Sequence, residues 1–149
     1  MGLLIDRATD ADTETIARVL AEIEAYYGGA EVAPPLEQIR AALFGEVPAA
    51  TVLLARDDGE VVGLASMSRL WPAAGADTSL YLKELYVRDG HRRRGIASEL
   101  MTAVREEAAR LGCSRVEWTA DRDNPPALEL YEALGFKPHQ GKVFYRLSL

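Results

Sequence analysis

The stretch from Leu80 to Leu111, LYLKELYVRDGHRRRGIASELMTAVREEAARL, constrains this chain more than any other. A β-rich run, Leu80 to Val87, ends in a short polar turn, and the turn feeds a helix that opens with Arg94, Gly95, Ile96 and Ala97. The helix follows from spacing. Ala97, Leu100, Met101, Val104, Ala108 and Leu111 recur on one side of a 3.6-residue period, and Gly112 supplies the stop. At the front end Gly95 and Ala97 carry no bulk, so a ligand can approach backbone N–H groups that still lack an intrahelical partner. Those amides and the positive end of the helix dipole suit a phosphate. Arg92, Arg93 and Arg94 add guanidinium groups at the same end, and the ligand that fits is a polyphosphate anion.

The rest of the chain reads in order around this unit. Leu3 to Arg7 forms a first strand, and Thr9 or Asp10 caps the helix that follows. There Ile16, Leu20, Ile23 and Tyr27 face inward, while Glu14, Arg18, Glu22 and Glu24 face out, and Gly28-Gly29 breaks the helix. Pro34-Pro35 opens a second helix, Leu36 to Phe44, whose Ile39, Leu43 and Phe44 cover a sheet. A hairpin comes next: Thr51 to Arg56, the turn Asp57-Asp58-Gly59, then Glu60 to Arg69. Both arms are apolar with little alternation, as befits central strands covered on both faces. After the long helix, Arg115 to Ala120 gives another strand. Asn124, at an N-cap before Pro125, leads a short helix that ends at Gly135. Phe136 to Leu149 supplies a last strand or a hairpin around Gln140-Gly141.

At 149 residues without repeat or low-complexity linker, the chain is expected to form one domain over residues 1–149. No apolar run approaches ~20 residues and no basic leader precedes one, so the expectation is a soluble, cytoplasmic protein without membrane contact. The lone cysteine, Cys113, reads as a buried thiol. His91 and His139 have no metal-ligand spacing around them, so no metal is expected. A net charge of −6 argues against nucleic acid and suits cationic small molecules.

Two motifs carry a family resemblance. Arg92-Arg93-Arg94-Gly95-Ile96-Ala97 resembles the (Gln/Arg)-x-x-Gly-x-(Gly/Ala) signature of the GNAT acetyltransferase superfamily. Downstream, Asn124 through Ala127, Tyr131 and Gly135-Phe136 resembles its Asn-x-x-Ala-x-x-x-Tyr-x-x-x-Gly-Phe element at every named position. The resemblance implies an α/β (α+β) fold, a mixed, mostly antiparallel central sheet flanked by helices, with a splay between central strands that binds acetyl-CoA. It implies that residues Arg92 to Ala97 hold the pyrophosphate, that Leu85, Tyr86 and Val87 pair with the pantetheine amides, and that Asn124 and Ala127 line the same arm. It makes Tyr131 the proton donor to the departing CoA sulfur. Helical spacing alone also allows Tyr131, beside Ala127, Leu130 and Leu134, to be a core residue.

An alkylammonium with a pKa near ~10.4 must lose a proton before it attacks a thioester, so a carboxylate should lie near the acceptor. Glu84, on the strand three residues before Val87, is the candidate base, with a solvated or ion-paired strand glutamate as the alternative. Tyr26, Tyr27 and Glu24 are candidate acceptor contacts. Within the superfamily the chain is most similar to diamine (spermidine/spermine) N-acetyltransferases, through Leu43-Phe44-Gly45 and Tyr81-Leu82-Lys83-Glu84-Leu85-Tyr86-Val87. It departs from them at Lys83, where that group carries an acid. The function implied is transfer of acetyl from acetyl-CoA, releasing CoA, to a primary amine of a small molecule: a polyamine, an amino acid derivative or an aminoglycoside-like compound. A protein N-terminal or lysine acetyltransferase and a catalytically silent acyl-CoA sensor are the alternatives. Dimers are frequent in the superfamily, so a homodimer is compatible with the resemblance.

Overall fold

A computed structural model of the chain describes residues 2–149. The chain divides into two compact units, one running through Trp118 and the other spanning Thr119–Leu149. The first unit is built on a five-stranded sheet in the order β1-β2-β3-β4-β5. Its strands are β1 (Leu3–Arg7), β2 (Thr51–Asp57), β3 (Glu60–Leu70), β4 (Ser79–Val87) and β5 (Arg115–Glu117). Neighbours are antiparallel except β4 and β5, which run parallel. Its helices are α1 (Thr13–Tyr26), α2 (Leu36–Phe44) and α3 (Ile96–Arg110), with a 3-10 turn at Asp10–Asp12 leading into α1.

The hairpin turn forms as expected, with Asp58 and Gly59 both at positive φ, the geometry that joins two twisted strands through two residues. The interior strands β2 and β3 are buried along most of their length, because each face of the sheet is covered. On one face Val52, Leu54, Leu64 and Tyr86 pack with Ile16, Val19 and Ile23 of α1 and Ile39 of α2. On the other lies α3, which buries Ile96, Leu100, Met101, Val104 and Ala108. Gly63 lets α3 come this close: a methyl there would stand 3.1 Å from Leu100 Cδ1, 3.1 Å from the Tyr86 carbonyl and 3.3 Å from Ile96 Cγ2. The first turn of α3 is thereby pressed against β3, beside the end of β4.

Several expectations need correction. Helix α3 begins at Ile96, not Arg94: Gly95 is its N-cap, at φ +79°, so Arg94 and Gly95 belong to the turn. The stripe accordingly starts at Ile96, with Ala97 only half-buried. Tyr27 lies beyond the end of α1 and is exposed, while Ala17 and Ala21 fill the inward face instead. Cys113 is half-buried. Strand β5 stops at Glu117 rather than Ala120.

The second unit contains α4 (Pro125–Ala133). Its Ala127, Leu130, Tyr131 and Leu134 form the expected stripe, yet each is half-buried and no α4 residue is fully buried. Residues 136–149 form neither the strand nor the hairpin expected of them, and Val143, Phe144, Tyr145 and Leu147 are exposed. Alternation of apolar residues describes a strand only where a neighbour supplies the ladder, and this segment enters no strand pairing.

Candidate active site

The candidate site begins where β5 ends. Strand β5 pairs with β4 over Ser79, Tyr81 and the residue between them, so from Leu82 to Val87 one edge of β4 has no strand paired to it among the described residues. The antiparallel register with β3 decides which main-chain groups face that edge. The Arg88 amide donates to the Val62 carbonyl at 2.9 Å, and Tyr86 and Glu84 stand opposite Leu64 and Ser66 two and four residues back. Because such ladders alternate, the N–H and C=O groups of Leu85 and Val87 point away from β3, into the open edge. A ligand with amides of its own can pair there as an added strand would.

Side-chain direction along β4 depends on a bulge. Glu84 opposes Ser66 but Leu82 opposes Met67, so Lys83 is the extra residue, and it is exposed. Past the bulge Glu84 and Tyr86 share the α1 face, while Leu85 and Val87 share the α3 face. The alternation expected from sequence holds for these four residues, but Lys83 belongs to neither row. Tyr86 is nearly buried, and burial pushes its phenol above the ordinary tyrosine range, with Glu22 adding to the effect.

The turn after β4 contains three residues in the left-handed region: Gly90, Arg93 and Gly95. Arg93, at φ +62°, is the costly one, since a side chain there is strained. Gly95 accepts the first helical bond, from the Glu99 amide at 3.0 Å, leaving the amides of Ile96, Ala97 and Ser98 without an intrahelical acceptor. Nothing lies within 4 Å of where a Gly95 side chain would project. Open space, exposed amides and a helix N-terminus together suit a phosphate group.

The arginines beside these amides are less available than their sequence suggested. Arg94 donates to Asp57 at 2.6 Å and lies 3.0 Å from His91 Nδ1, tying the β2–β3 turn to this one. Its guanidinium holds the Asp57 carboxyl below the ordinary carboxylate range. Arg92 donates through Nε to the Val87 carbonyl at 2.9 Å, and its guanidinium carbon stands 5.4 Å from the Tyr26 ring centroid and 5.5 Å from that of Tyr86. Arg93 is exposed.

Thus the structure brings Tyr26, Tyr86, Val87 and Arg92 together. Tyr27 packs edge-on against Tyr26 at 5.1 Å and is exposed. Glu24 is exposed on α1, its carbonyl accepting from the Gly29 amide at 2.9 Å. In the second unit Asn124 stands at the N-cap of α4, where its carbonyl accepts from Ala127 and Leu128. Asn124, Ala127 and Tyr131 share one stripe of that helix, each half-buried.

Sequence reasoning missed Glu22, expected to face out. Its carboxylate is half-buried and accepts from Arg88 Nε and Nη2, the shortest contact being 2.7 Å. It missed Asp57 and Gly63 too, because their partners lie far along the chain. A cleft of about 500 Å³ between β1 and the C-terminal half of α3 is lined by Asp6, Arg7, Glu106, Glu107 and Arg110 and by no residue of this turn.

Residues 16–136 match the family model described as Acetyltransferase (GNAT) family. Among curated relatives, a thialysine N-epsilon-acetyltransferase of Bos taurus is 30% identical over 142 residues, covering 89% of this chain and 83% of that one. An L-ornithine N5-acetyltransferase of Arabidopsis thaliana is 33% identical over 53% of this chain and 35% of its own length. An aminoglycoside N(6')-acetyltransferase of Salmonella typhimurium is 30% identical over 62% and 66% respectively. The chain therefore spans about a third to two thirds of the last two proteins. Among solved structures, an integron cassette protein from the mobile metagenome of V. cholerae has a TM-score of 0.85 at 28% identity, covering 99% of this chain and 93% of that one. An aminoglycoside acetyltransferase from an uncultured soil metagenomic sample, in complex with sisomicin, has a TM-score of 0.84 at 21% identity, covering 99% and 97%. The latter likeness is one of fold.

Proposed function

Because this chain belongs to the acetyltransferase (GNAT) family, we propose that it transfers acetyl from acetyl-CoA to a primary amine of a small cationic molecule. The observation that carries the proposal is the β4 edge left unpaired from Leu82 to Val87, with the main-chain groups of Leu85 and Val87 aimed into it, followed in the chain by the amides around Gly95 that lack a helical acceptor. An amide-bearing arm that ends in a diphosphate has the chemistry to use both. The family match runs through both units, which supports treating residues 1–149 as one catalytic domain.

Acetyl-CoA supplies an acetyl group activated as a thioester and a thiol as leaving group. In this reading the amides of Gly95 to Ala97 and the Arg93 guanidinium hold the diphosphate. The main chain of Leu85 and Val87 pairs with the pantetheine amides, and the Val87 N–H faces the thioester oxygen, where a fixed donor stabilises developing negative charge. Asn124 bonds the pantetheine arm, Ala127 leaves room beside it, and Tyr131 donates a proton to the departing sulfur. Glu84 takes the proton from the attacking amine, directly or through one water, since an alkylammonium near pKa ~10.4 is otherwise unreactive at neutral pH. Tyr26, Tyr27 and Glu24 belong to the acceptor side.

The relatives that act on ornithine, thialysine and aminoglycosides favour a small-molecule amine, and a chain of net charge −6 favours a cationic one. The test is an acetyl-CoA consumption assay over polyamines, lysine and ornithine analogues, aminoglycosides and N-terminal peptides. Turnover with small amines and not with peptides is expected. Turnover with peptides alone would transfer the activity to protein substrates, and coenzyme binding without turnover on any amine would leave a sensor.

A further inference from the structure

Helix α1 and the connection that follows β4 are joined by two arginines. Arg88 reaches the Glu22 carboxylate, with contacts of 2.7 and 3.1 Å, and also donates to the Val61 carbonyl at 3.0 Å. Four residues on, Arg92 meets the ring of Tyr26, which is four residues after Glu22 and on the same side of the helix. The two pairs rise in step, one helical turn apart, over the last two turns of α1. The second pair has a third member, for Arg92 also faces Tyr86, whose ring meets that of Tyr26 edge-on at 6.3 Å and 73°, so the guanidinium sits in the corner the two rings make. Its Nε is spent on the Val87 carbonyl.

This cluster stands between the candidate coenzyme turn and the acceptor side. Directly after Tyr26 the chain leaves α1 for residues 27–35, an exposed connection without regular structure that opens through Gly28 at φ +91°. Below it, on the α1 face, are Tyr86 and the candidate base Glu84. A guanidinium packed against two rings, with one donor committed to a backbone carbonyl, presents fewer of its donors to a phosphate than a free fork does.

We infer that Arg92 is a positioning residue for the amine acceptor and not a coenzyme ligand: held between Tyr26 and Tyr86 and anchored on Val87, it sets the 27–35 connection against the end of β4. The inference rests on the reading of this site as an acetyl-transfer centre. Cation–ring pairing is the part of the device that Tyr26→Phe keeps and Tyr26→Leu removes.

The test uses the full chain and the best amine from the acceptor panel, with Arg92→Gln, Arg92→Lys, Tyr26→Leu and Tyr26→Phe. CoA affinity is read by calorimetry, acceptor KM and kcat by steady-state kinetics, and order in residues 24–35 by amide hydrogen exchange. For Arg92→Gln the acceptor KM should rise about tenfold, the loss of one contact of this class, with CoA affinity within about twofold of wild type and faster exchange in 24–35. Tyr26→Leu should reproduce this pattern, Tyr26→Phe should keep wild-type exchange in 24–35, and Arg92→Lys should fall between. A tenfold loss of CoA affinity in Arg92→Gln with the acceptor KM unmoved would make Arg92 a phosphate ligand and overturn the inference. Unchanged exchange in 24–35 would do the same, since the tether would then hold nothing. A wild-type protein that neither binds CoA nor acetylates any amine would instead overturn the acetyl-transfer reading on which the inference stands.

Discussion

Gly95→Ala is the smallest change that separates the anion site from the fold. The added methyl meets nothing inside the protein, so its structural cost is that of a left-handed alanine, about 1–2 kcal/mol. Its larger effect should fall on the ligand, because the methyl occupies the open space over the amides. CoA affinity measured by calorimetry should drop at least about tenfold, about 1.4 kcal/mol, while the variant stays folded. Tyr131→Phe removes the phenolic hydroxyl and little volume; kcat should fall with CoA affinity nearly intact, and an unchanged kcat would make Tyr131 a packing residue. Glu84→Gln should lower kcat by about 10²-fold or more if the carboxylate is the base. At this scale the sequence offered local candidates but not the partners they meet. The lack of bulk at Gly95 was legible because it belongs to one residue, whereas its place as a left-handed N-cap outside the helix was not. The partners of Arg94 and Arg92 were not, since Asp57 and Tyr26 are brought to them only by the sheet and by α1.

Strand β4 and helix α3 were legible as elements because their patterns, a β-rich run and a 3.6-residue stripe, are local. The bulge at Lys83 was not, since a strand's phase is set by its neighbour, here the step between Ser66 and Met67. The same dependence explains residues 136–149, whose apolar alternation looks like a strand yet enters no ladder among the described residues. Gly63 matters at this scale too, for it sets how closely α3 lies on β3 and therefore where the amides after Gly95 stand relative to Val87. Gly63→Ala brings a methyl to 3.1 Å from both Leu100 and the Tyr86 carbonyl, and overpacking of this kind costs about 1–3 kcal/mol. Thermal unfolding should show a Tm lower by several degrees, and CoA affinity should weaken as the first turn of α3 shifts. A variant with wild-type Tm and affinity would mean that α3 is not seated on β3 through this glycine.

For the molecule as a whole, two carboxylates fasten the sheet to α3 and to the turn before it. Glu107 on α3 pairs with Arg110 at 2.6 Å and with Arg7 of β1, and Asp57 pairs with Arg94. The Arg110 hydrogen bond first, then the charge of Arg7, holds the Glu107 carboxyl below the ordinary carboxylate range, as Arg94 does for Asp57. Both pKa values are depressed on folding, so the stability they contribute is complete above the unfolded value near ~4 and is lost as pH falls through the folded one. Tm should therefore be insensitive to these groups between neutral pH and about 5 and should fall below about 4. Glu107→Gln should lower Tm at pH 7 and flatten the acid limb; an acid limb parallel to that of wild type would contradict the assignment. The central claim is that coenzyme lies along the open edge of β4 and ends on the amides around Gly95, and amide chemical shifts followed through a CoA titration test it most directly. The amides of Leu85, Val87 and Gly95 to Ala97 should move most. That claim is contradicted if these stay still while CoA is added, or if the largest shifts fall instead in the cleft lined by Arg7, Glu107 and Arg110.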